Sequence, residues 1–349
     1  MTPNLPTITG IGSVSSYGPV AGFIPQRFLE PTAITSWTTA GLRRAFLVEP
    51  FRPASVVSGL KTRRLDRLSA WALVASSLAI QDAGIDLSQV DRSRVAVVFA
   101  TGFGCVELTE AFFQSAATNG WSGTDPITFP ETLANAPASH VALFHDLRGP
   151  NITVGSKSFA GESALLQAAS LLRHGQADLA IVLAGDTLTQ AVYGWYEAAG
   201  LLSPACYNSE PLSAVGGFVP SEGVGALVLE PADSREGRSY AHLRSGRWAT
   251  GGQPLEIIQQ MLGGAAPSLT ICTGNGAPCA TSSTSNLARE IAGNHAAIVP
   301  PQAVAAGLTD TGAILHLILA LSGRPGSGQA LLLGTSGDSG FAALLLELP

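Results

Sequence analysis

Short apolar runs alternate with longer segments of helical spacing along most of the 349-residue chain. The β-branched run Arg94–Ala100 (RVAVVFA) is typical of a strand that is buried on both faces. The segment Thr62–Ala83 carries apolar residues at helical spacing, and Gly84 after it is a natural end for a helix. Strands that alternate with helices predict a sheet covered on both faces, which is an α/β fold.

The alternation occurs twice, and the second pass is the shorter one. Strand-like and helix-like segments run in one order through residues 1–232 and in a compressed form of that order through 233–349. No low-complexity linker separates the two passes. We therefore predict a duplicated α/β unit with mostly parallel sheets, whose two halves pack as one body.

Composition and charge exclude several classes of protein. Hydrophobic residues make up 46% of the chain and charged residues 13%, yet no apolar run reaches the roughly 18–20 residues of a membrane span. The net charge of −6 comes without any basic block, which argues against nucleic-acid binding. The large apolar content instead predicts a subunit interface, because a monomer would struggle to bury it.

The cysteines show neither metal-ligand nor disulfide-framework spacing. They are Cys105, Cys206, Cys272 and Cys279. The N-terminus has no basic region followed by an apolar core, so nothing suggests secretion. We expect a reduced, cytoplasmic protein that uses no metal and no cofactor.

Three segments of the first half carry a family pattern as a set. They are RRLDRLSAWALVASSLAIQDAGI, LRGPNITVGSKSFAGESALLQAASLLRHGQADLAIVLAGD and PSEGVGALVLE. Together they resemble the first long helix, the nucleophile elbow with its helix, and the Glu-Gly-Ala strand of the β-ketoacyl synthases. The resemblance is strong between Arg63 and Leu229. It implies the thiolase fold, with duplicated αβαβα halves in a five-layer arrangement.

The nucleophile position of that family, counted from Gly149-Pro150, falls on Ser158. Condensing enzymes place a cysteine there, because a helix N-terminus lowers the pKa of a thiol and its N–H groups stabilise an oxyanion. A serine hydroxyl has a far higher pKa and needs a neighbouring general base to attack an acyl thioester.

The other catalytic positions implied by the resemblance have also changed. The family's two histidines correspond to a position near Gly274, in ICTGNGAPC, and to Ala306, in AAGLTDTGAI. Its lysine falls near Pro301, and its gating phenylalanine falls on Ser336. Loss of all these groups together predicts a pseudoenzyme that cannot condense.

The resemblance then implies a chain-length-factor-like subunit. Such a subunit pairs with an active ketosynthase in a heterodimer or higher assembly, works with an acyl carrier protein, and shapes the acyl tunnel at the shared interface. In the family, the segment here numbered 126–136 reaches across the dimer axis. The candidate tunnel residues are Phe103, Thr128, Phe129 and Thr132, where side-chain volume would stop a growing chain. Chain-length factors of aromatic pathways carry glutamine at the elbow, so Ser158 leaves the product class open.

Two alternatives remain at this stage. The first is a serine-dependent acyltransferase or hydrolase that uses Ser158 on acyl-carrier thioesters. The second is a structural subunit that only stabilises its partner. The sequence also leaves open a role for His145 as a base and for Cys279 as a replacement nucleophile. A buried structural role is the simpler interpretation for both residues, and it is the interpretation for His316 as well.

Overall fold

The strands and helices alternate as the sequence predicts. The computed structural model describes residues 5–24, 29, 31–34, 37, 43–202, 218–234, 239–273, 278–292, 297–299, 312–323, 326–336 and 340–349. The strands are β1 (Pro6–Ser15), β2 (Gly18–Ala21), β3 (Thr32–Ile34), β4 (Arg43–Ala45), β5 (Val95–Thr101), β6 (Asn151–Gly155), β7 (Leu179–Asp186), β8 (Gly223–Pro231), β9 (Ala241–Thr250), β10 (Leu269–Thr273), β11 (Ala297–Val299), β12 (Gly328–Thr335) and β13 (Gly340–Leu348). The α-helices are α1 (Pro53–Val56), α2 (Arg67–Ala83), α3 (Val106–Asn119), α4 (Ala136–His145), α5 (Ala160–Arg173), α6 (Gln190–Ala198), α7 (Pro254–Leu262), α8 (Pro278–Ala292) and α9 (Gly312–Ser322). Short 3-10 turns lie at Leu87–Gln89, Arg92–Arg94, Trp121–Gly123 and Phe129–Thr132.

The main sheet consists of two halves with the same topology. The first half has the order β1-β8-β7-β5-β6, and the second has the order β9-β13-β12-β10-β11. In each half the first two neighbouring pairs are antiparallel and the last two are parallel. A short antiparallel pairing of β1 with β9 joins the halves. The sheet is therefore mixed, rather than mostly parallel as the apolar runs led us to expect.

Helices form three layers around these two half-sheets. Helices α2 and α4 cover the outer face of the first half, α5 and α9 lie between the halves, and α7 and α8 cover the second. Strand β5 shows the division, because Val97 and Phe99 face the core beneath α2 whereas Val98 and Ala100 face α5. The predicted five-layer thiolase-type arrangement is confirmed. The division at residues 232 and 233 stays a prediction.

Helix α2 shows how local sequence sets an element. The Asp66 carboxylate caps it by accepting from the Leu68 N–H at 2.8 Å, and Gly84 ends it in the left-handed conformation. The cap places the start of the helix after the predicted start at Thr62. The helix also lies close to β1, since a Cβ at Gly12 would come within 2.5 Å of the Ala75 carbonyl oxygen.

Strand β6 forms one edge of the sheet and pairs, among the described strands, with β5 alone. The helices in the described ranges include none that could span a lipid bilayer.

Candidate functional site

The predicted elbow connects β6 to the N-terminus of α5. The residue in the left-handed conformation there is Phe159, with φ 59° and ψ 28°, and not Ser158. Apart from glycines, Asp146 is the one other described residue with a positive φ. A left-handed backbone is unfavourable for a bulky residue, and such strain persists only where the surroundings impose it. The chain therefore makes the sharp turn that the family pattern implies, with the left-handed residue directly after Ser158.

Ser158 itself lies half-buried in a short hydrogen-bonded loop. Its N–H donates to the Ser156 Oγ at 3.2 Å, and the Ser156 hydroxyl donates to the Ser158 carbonyl at 2.8 Å. Within the described part of the chain, no histidine, carboxylate or lysine forms a hydrogen bond with the Ser158 hydroxyl. An alcohol without a general base is a poor nucleophile toward a thioester.

His145 lies away from the elbow. It ends α4 in the outer helix layer, and its Nε2 lies 3.3 Å from the Ser76 Oγ and 3.4 Å from the Ser77 Oγ of α2. Burial, with a smaller contribution from Arg92, lowers the pKa of His145 to about 4. The first half-sheet separates this imidazole from α5, so it does not serve Ser158. His316 is buried within α9, where its Nδ1 lies 2.8 Å from the Gly312 carbonyl oxygen.

The remaining catalytic positions fall mostly outside the described residues. These are Gly274, Pro301, Ala306 and the side chain of Cys279. Ser336, at the expected gate, is described, and its N–H donates to the Gly340 carbonyl at 2.9 Å.

The two cysteines with described side chains are poor nucleophiles. Cys105 and Cys272 are buried free thiols. Burial raises the pKa of each thiol to about 12, so both stay protonated at neutral pH. The described residues also hold no cluster of three or more potential metal ligands.

Phe103, a candidate tunnel residue, lies on a turn that one carboxylate holds in place. Asp186 ends β7 and accepts hydrogen bonds from the Thr101 hydroxyl at 2.6 Å, the Gly102 N–H at 3.0 Å and the Phe103 N–H at 2.9 Å. The turn follows β5, which neighbours β7 in the sheet. Asp186 therefore fixes the backbone position of Phe103.

The Phe103 ring lies beside the elbow. The Lys157 Nζ is 3.1 Å from the ring centroid, and the rings of Trp195 and Tyr196 contact the ring edge-on at 6.2 and 6.0 Å. Trp195 is 53% exposed and lies on α6. The sequence-based prediction missed this helix, and with it the tryptophan that extends the aromatic wall next to Ser158.

The other candidate tunnel residues lie on the 3-10 turn before α4. Thr128 and Thr132 are half-buried, and Phe129 is 51% exposed with its ring 5.8 Å from that of Phe112. The Thr132 hydroxyl donates to the Phe129 carbonyl at 2.7 Å, which fixes the turn.

This 3-10 segment and the Phe103 turn meet. A Cβ at Gly104 would lie 3.1 Å from the Ala134 Cβ. The two predicted tunnel segments are thus neighbours, while their role in a tunnel stays a prediction.

Residues 21–235 match the family model described as the β-ketoacyl synthase N-terminal domain. The chain belongs to the β-ketoacyl synthase family. This membership rests on well over half of the chain and covers both the elbow and the candidate tunnel segments.

Curated proteins match a part of the chain at low sequence identity. The chain is 27% identical over 216 residues to the 3-oxoacyl-[acyl-carrier-protein] synthase 2 of Vibrio cholerae, which covers 59% of this chain and 52% of that protein. It is 29% identical over 243 residues to Nodulation protein E of Rhizobium leguminosarum bv. trifolii, covering 68% and 60%. The matches therefore span between half and two thirds of the length of these relatives.

Solved structures of the family share the fold over nearly the whole chain. The ishigamide ketosynthase/chain length factor superposes with a TM-score of 0.73 at 22% identity, covering 99% of each chain. A β-ketoacyl synthase from Burkholderia phymatum gives 0.79 at 17% identity, covering 99% and 100%. A chain of the structure described as a type II polyketide synthase acyl-carrier protein in complex with its ketosynthase superposes with a TM-score of 0.78 at 16% identity, covering 100% of each chain. At these identities the likeness shows the fold alone.

This family member buries a carboxyl in the first turn of α5, which the sequence-based prediction missed. Glu162 is 2% exposed, and the Thr273 hydroxyl at the end of β10 donates to its Oε1 at 2.7 Å. Burial raises the pKa of Glu162, partly offset by hydrogen bonds from Thr273 and from its own backbone N–H. The one available signal was an acidic residue on the apolar helix FAGESALLQAAS.

Glu162 should make stability depend on pH. Because the folded-state pKa is raised, its contribution is fully present below the ordinary value of 4.5 and is lost as pH rises through the folded pKa. The isosteric, uncharged variant Glu162→Gln should remove this dependence, so its stability advantage over the native chain should grow with pH. Chemical denaturation of both proteins from acid to neutral pH measures the difference, and parallel curves would contradict the assignment.

Proposed function

We propose that this chain is a chain-length-factor-like subunit that pairs with an active ketosynthase and does not itself condense acyl groups. The observation that carries the proposal is Ser158, a hydroxyl in the nucleophile position that forms no hydrogen bond with a base among the described residues. Transfer of a growing chain to the enzyme requires an activated nucleophile, and the described residues of the elbow supply none.

The comparisons support the kinds of partner. The curated relatives are named as synthases, whereas one structure that shares the whole fold is named as a ketosynthase/chain length factor. Another structure holds an acyl-carrier protein in complex with its ketosynthase. A chain of this fold that has lost the thiol matches the accompanying subunit better than the synthase.

We propose that the ketosynthase partner binds along strand β6. It is an edge strand with half-exposed residues, so its outer backbone groups can pair with a strand of a second subunit. On α3 and the two 3-10 turns after it, Phe113, Trp121 and Phe129 form an exposed aromatic surface in which Trp121 is 69% exposed. Apolar surface of this kind is typical of a protein–protein interface.

An exposed basic segment supports the carrier protein as the second partner. Arg52, Lys61, Arg63 and Arg64 are exposed before α2 and form no ion pair with another described residue. An acidic carrier protein would be attracted to these exposed basic side chains, although the net charge of the chain is −6. The carrier would then deliver substrate to the shared tunnel.

The purified chain, without its partner, is expected to show no decarboxylation of a malonyl thioester and no condensation. The reason is that neither a thiolate nor an activated hydroxyl is present at the described elbow. A radiochemical turnover assay of the native chain beside Ser158→Ala checks this. Turnover that disappears in Ser158→Ala, or an acyl-serine adduct in intact-protein mass spectrometry, would favour the serine acyltransferase alternative instead.

Replacing Phe129 by alanine should lengthen the products of the partner enzyme by whole extension units. Phe129 is, with Phe103, one of the two bulkiest predicted tunnel residues, and its truncation would deepen a tunnel that side-chain volume limits. The matched control is Phe23→Ala, since Phe23 is similarly exposed (55%) but lies just beyond β2. Product lengths from the reconstituted pair and carrier are compared by mass spectrometry. Unchanged lengths for Phe129→Ala would favour a purely structural subunit.

A further inference from the structure

Lys157 stands directly before the nucleophile position, and its side chain reaches the Phe103 ring. Lys157 is exposed and Phe103 is half-buried. The Lys157 Nζ is 3.1 Å from the ring centroid. The ammonium lies over the face of the ring, because the ring carbons and their hydrogens would keep a nitrogen in the ring plane farther away. This is the arrangement of a cation–π contact, in which the negative face of the ring attracts the charge.

Three segments at one end of the sheet come together around this contact. Lys157 follows β6, Phe103 follows β5, and Trp195 lies on α6 after β7. Strand β5 pairs in parallel with both β6 and β7, so the three segments follow the carboxyl ends of neighbouring strands. Ligands of open α/β sheets bind outside such ends. The contact therefore lies at the end of the sheet where a substrate is expected.

The Phe103 ring is also held on its other sides. Its backbone N–H donates to Asp186 at 2.9 Å. The rings of Trp195 and Tyr196 meet it edge-on, at interplanar angles of 74° and 88°. Tyr196 is 1% exposed and belongs to the satellite core, so it is a rigid neighbour for the ring. Among these contacts, the Lys157 ammonium is the one that the elbow supplies.

We infer that Lys157 is a positioning residue for the proposed tunnel: its ammonium holds the Phe103 ring in one orientation beside the elbow. The inference rests on the proposed chain-length role and adds a residue to it. A charge over the ring face favours one tilt of the ring, and side-chain volume at this place is what the proposed role uses. Without the charge, the ring would adopt further orientations and the products would span a wider range of lengths.

Lys157→Met keeps an unbranched side chain and removes the charge. In the reconstituted pair with its carrier, this variant should raise the fraction of products of non-native length by about two- to fivefold, the factor that an exposed cation–π contact supplies. Lys157→Arg should restore the native distribution, because a guanidinium also stacks on aromatic faces. Arg244→Met removes an exposed cation from β9 and should behave as the native chain. Mass spectrometry of the products measures the distribution.

Fluorination of Phe103 tests the contact itself. Ring fluorines draw negative charge away from the face of the ring and change its shape little, so each added fluorine should weaken the attraction for a cation. A series of increasingly fluorinated phenylalanines at position 103 should therefore change the product distribution and the urea midpoint stepwise in the native chain. In Lys157→Met the series should be flatter, and the difference between the two series isolates the pair. Parallel series would overturn the inference, since a merely structural lysine gives the same response in both backgrounds.

The inference and the proposed function fail differently. If Phe129→Ala changes product length while Lys157→Met leaves the distribution native, Lys157 does not position the ring and the chain-length role stands. If product length is indifferent to both variants, the chain-length role is wrong and the positioning role falls with it.

Discussion

Glu222→Ala is expected to lower the free energy of unfolding by about 3–5 kcal/mol, because it leaves two buried backbone N–H groups without their acceptor and removes the buried partner of the half-buried Arg67. The Glu222 carboxylate accepts from the Val48 N–H at 3.1 Å and the Leu188 N–H at 3.0 Å, and it pairs with Arg67 at 3.1 Å. These three partners belong to the segment after β4, the loop after β7 and the start of α2. Urea unfolding followed by circular dichroism measures the loss.

The variant Glu222→Gln distinguishes the effect of losing the hydrogen-bond acceptor from the effect of losing the negative charge. The amide keeps one oxygen acceptor at the same place, so it should lose less stability than Glu222→Ala does. Burial raises the pKa of Glu222, whereas Arg67 and the two backbone N–H groups oppose the shift. Native-like stability of Glu222→Ala would mean that the three segments are held together by packing alone.

Asp186→Ala should lower the free energy of unfolding by about 3 kcal/mol, since it leaves the Gly102 and Phe103 N–H groups and the Thr101 hydroxyl without this acceptor. It should also change the product lengths of the reconstituted pair, because the turn that carries Phe103 loses its anchor. Thermal unfolding and product analysis of the same preparation measure both effects.

Asp186→Asn is the control for this turn. Its remaining oxygen can still accept from one N–H, so we expect an intermediate loss of stability and a smaller change in products. If Asp186→Ala destabilises the chain but leaves product lengths as they are, Phe103 does not shape the tunnel. If neither quantity changes, the turn is held by other contacts.

A strand or helix was predictable wherever the sequence of that segment alone determines it. Strand β5 and helix α2 follow from apolar spacing and from the Asp66 and Gly84 boundaries. Strand direction was not predictable, because an apolar run looks alike in parallel and antiparallel pairs. Helix α6 was missed because its sequence, QAVYGWYEA, contains a glycine and several aromatic residues of modest helix propensity. Tertiary packing of Tyr193 and Tyr196 in a small satellite core holds it in place.

The candidate site was predictable in position and not in detail. Counting from Gly149-Pro150 places the nucleophile position at Ser158, and the left-handed residue follows at Phe159. The packing of the Phe159 ring beside Gly334 and Gly340 was hidden, because these glycines belong to strands of the other half. The burial of Glu162 was equally hidden, because carboxylates are mostly exposed and nothing local indicates that β10 covers this one.

The position of β6 has a consequence for how such an assembly would diversify. The strand ends at Gly155, so whatever chain pairs along its free edge comes to lie within a few residues of the elbow. A slip of one residue in that pairing would turn every side chain of the incoming strand to the opposite face. Replacing one partner subunit by another, with this chain unchanged, would therefore change the side chains that line the cavity at the interface. The product would then be determined by the heterodimer and not by either subunit alone.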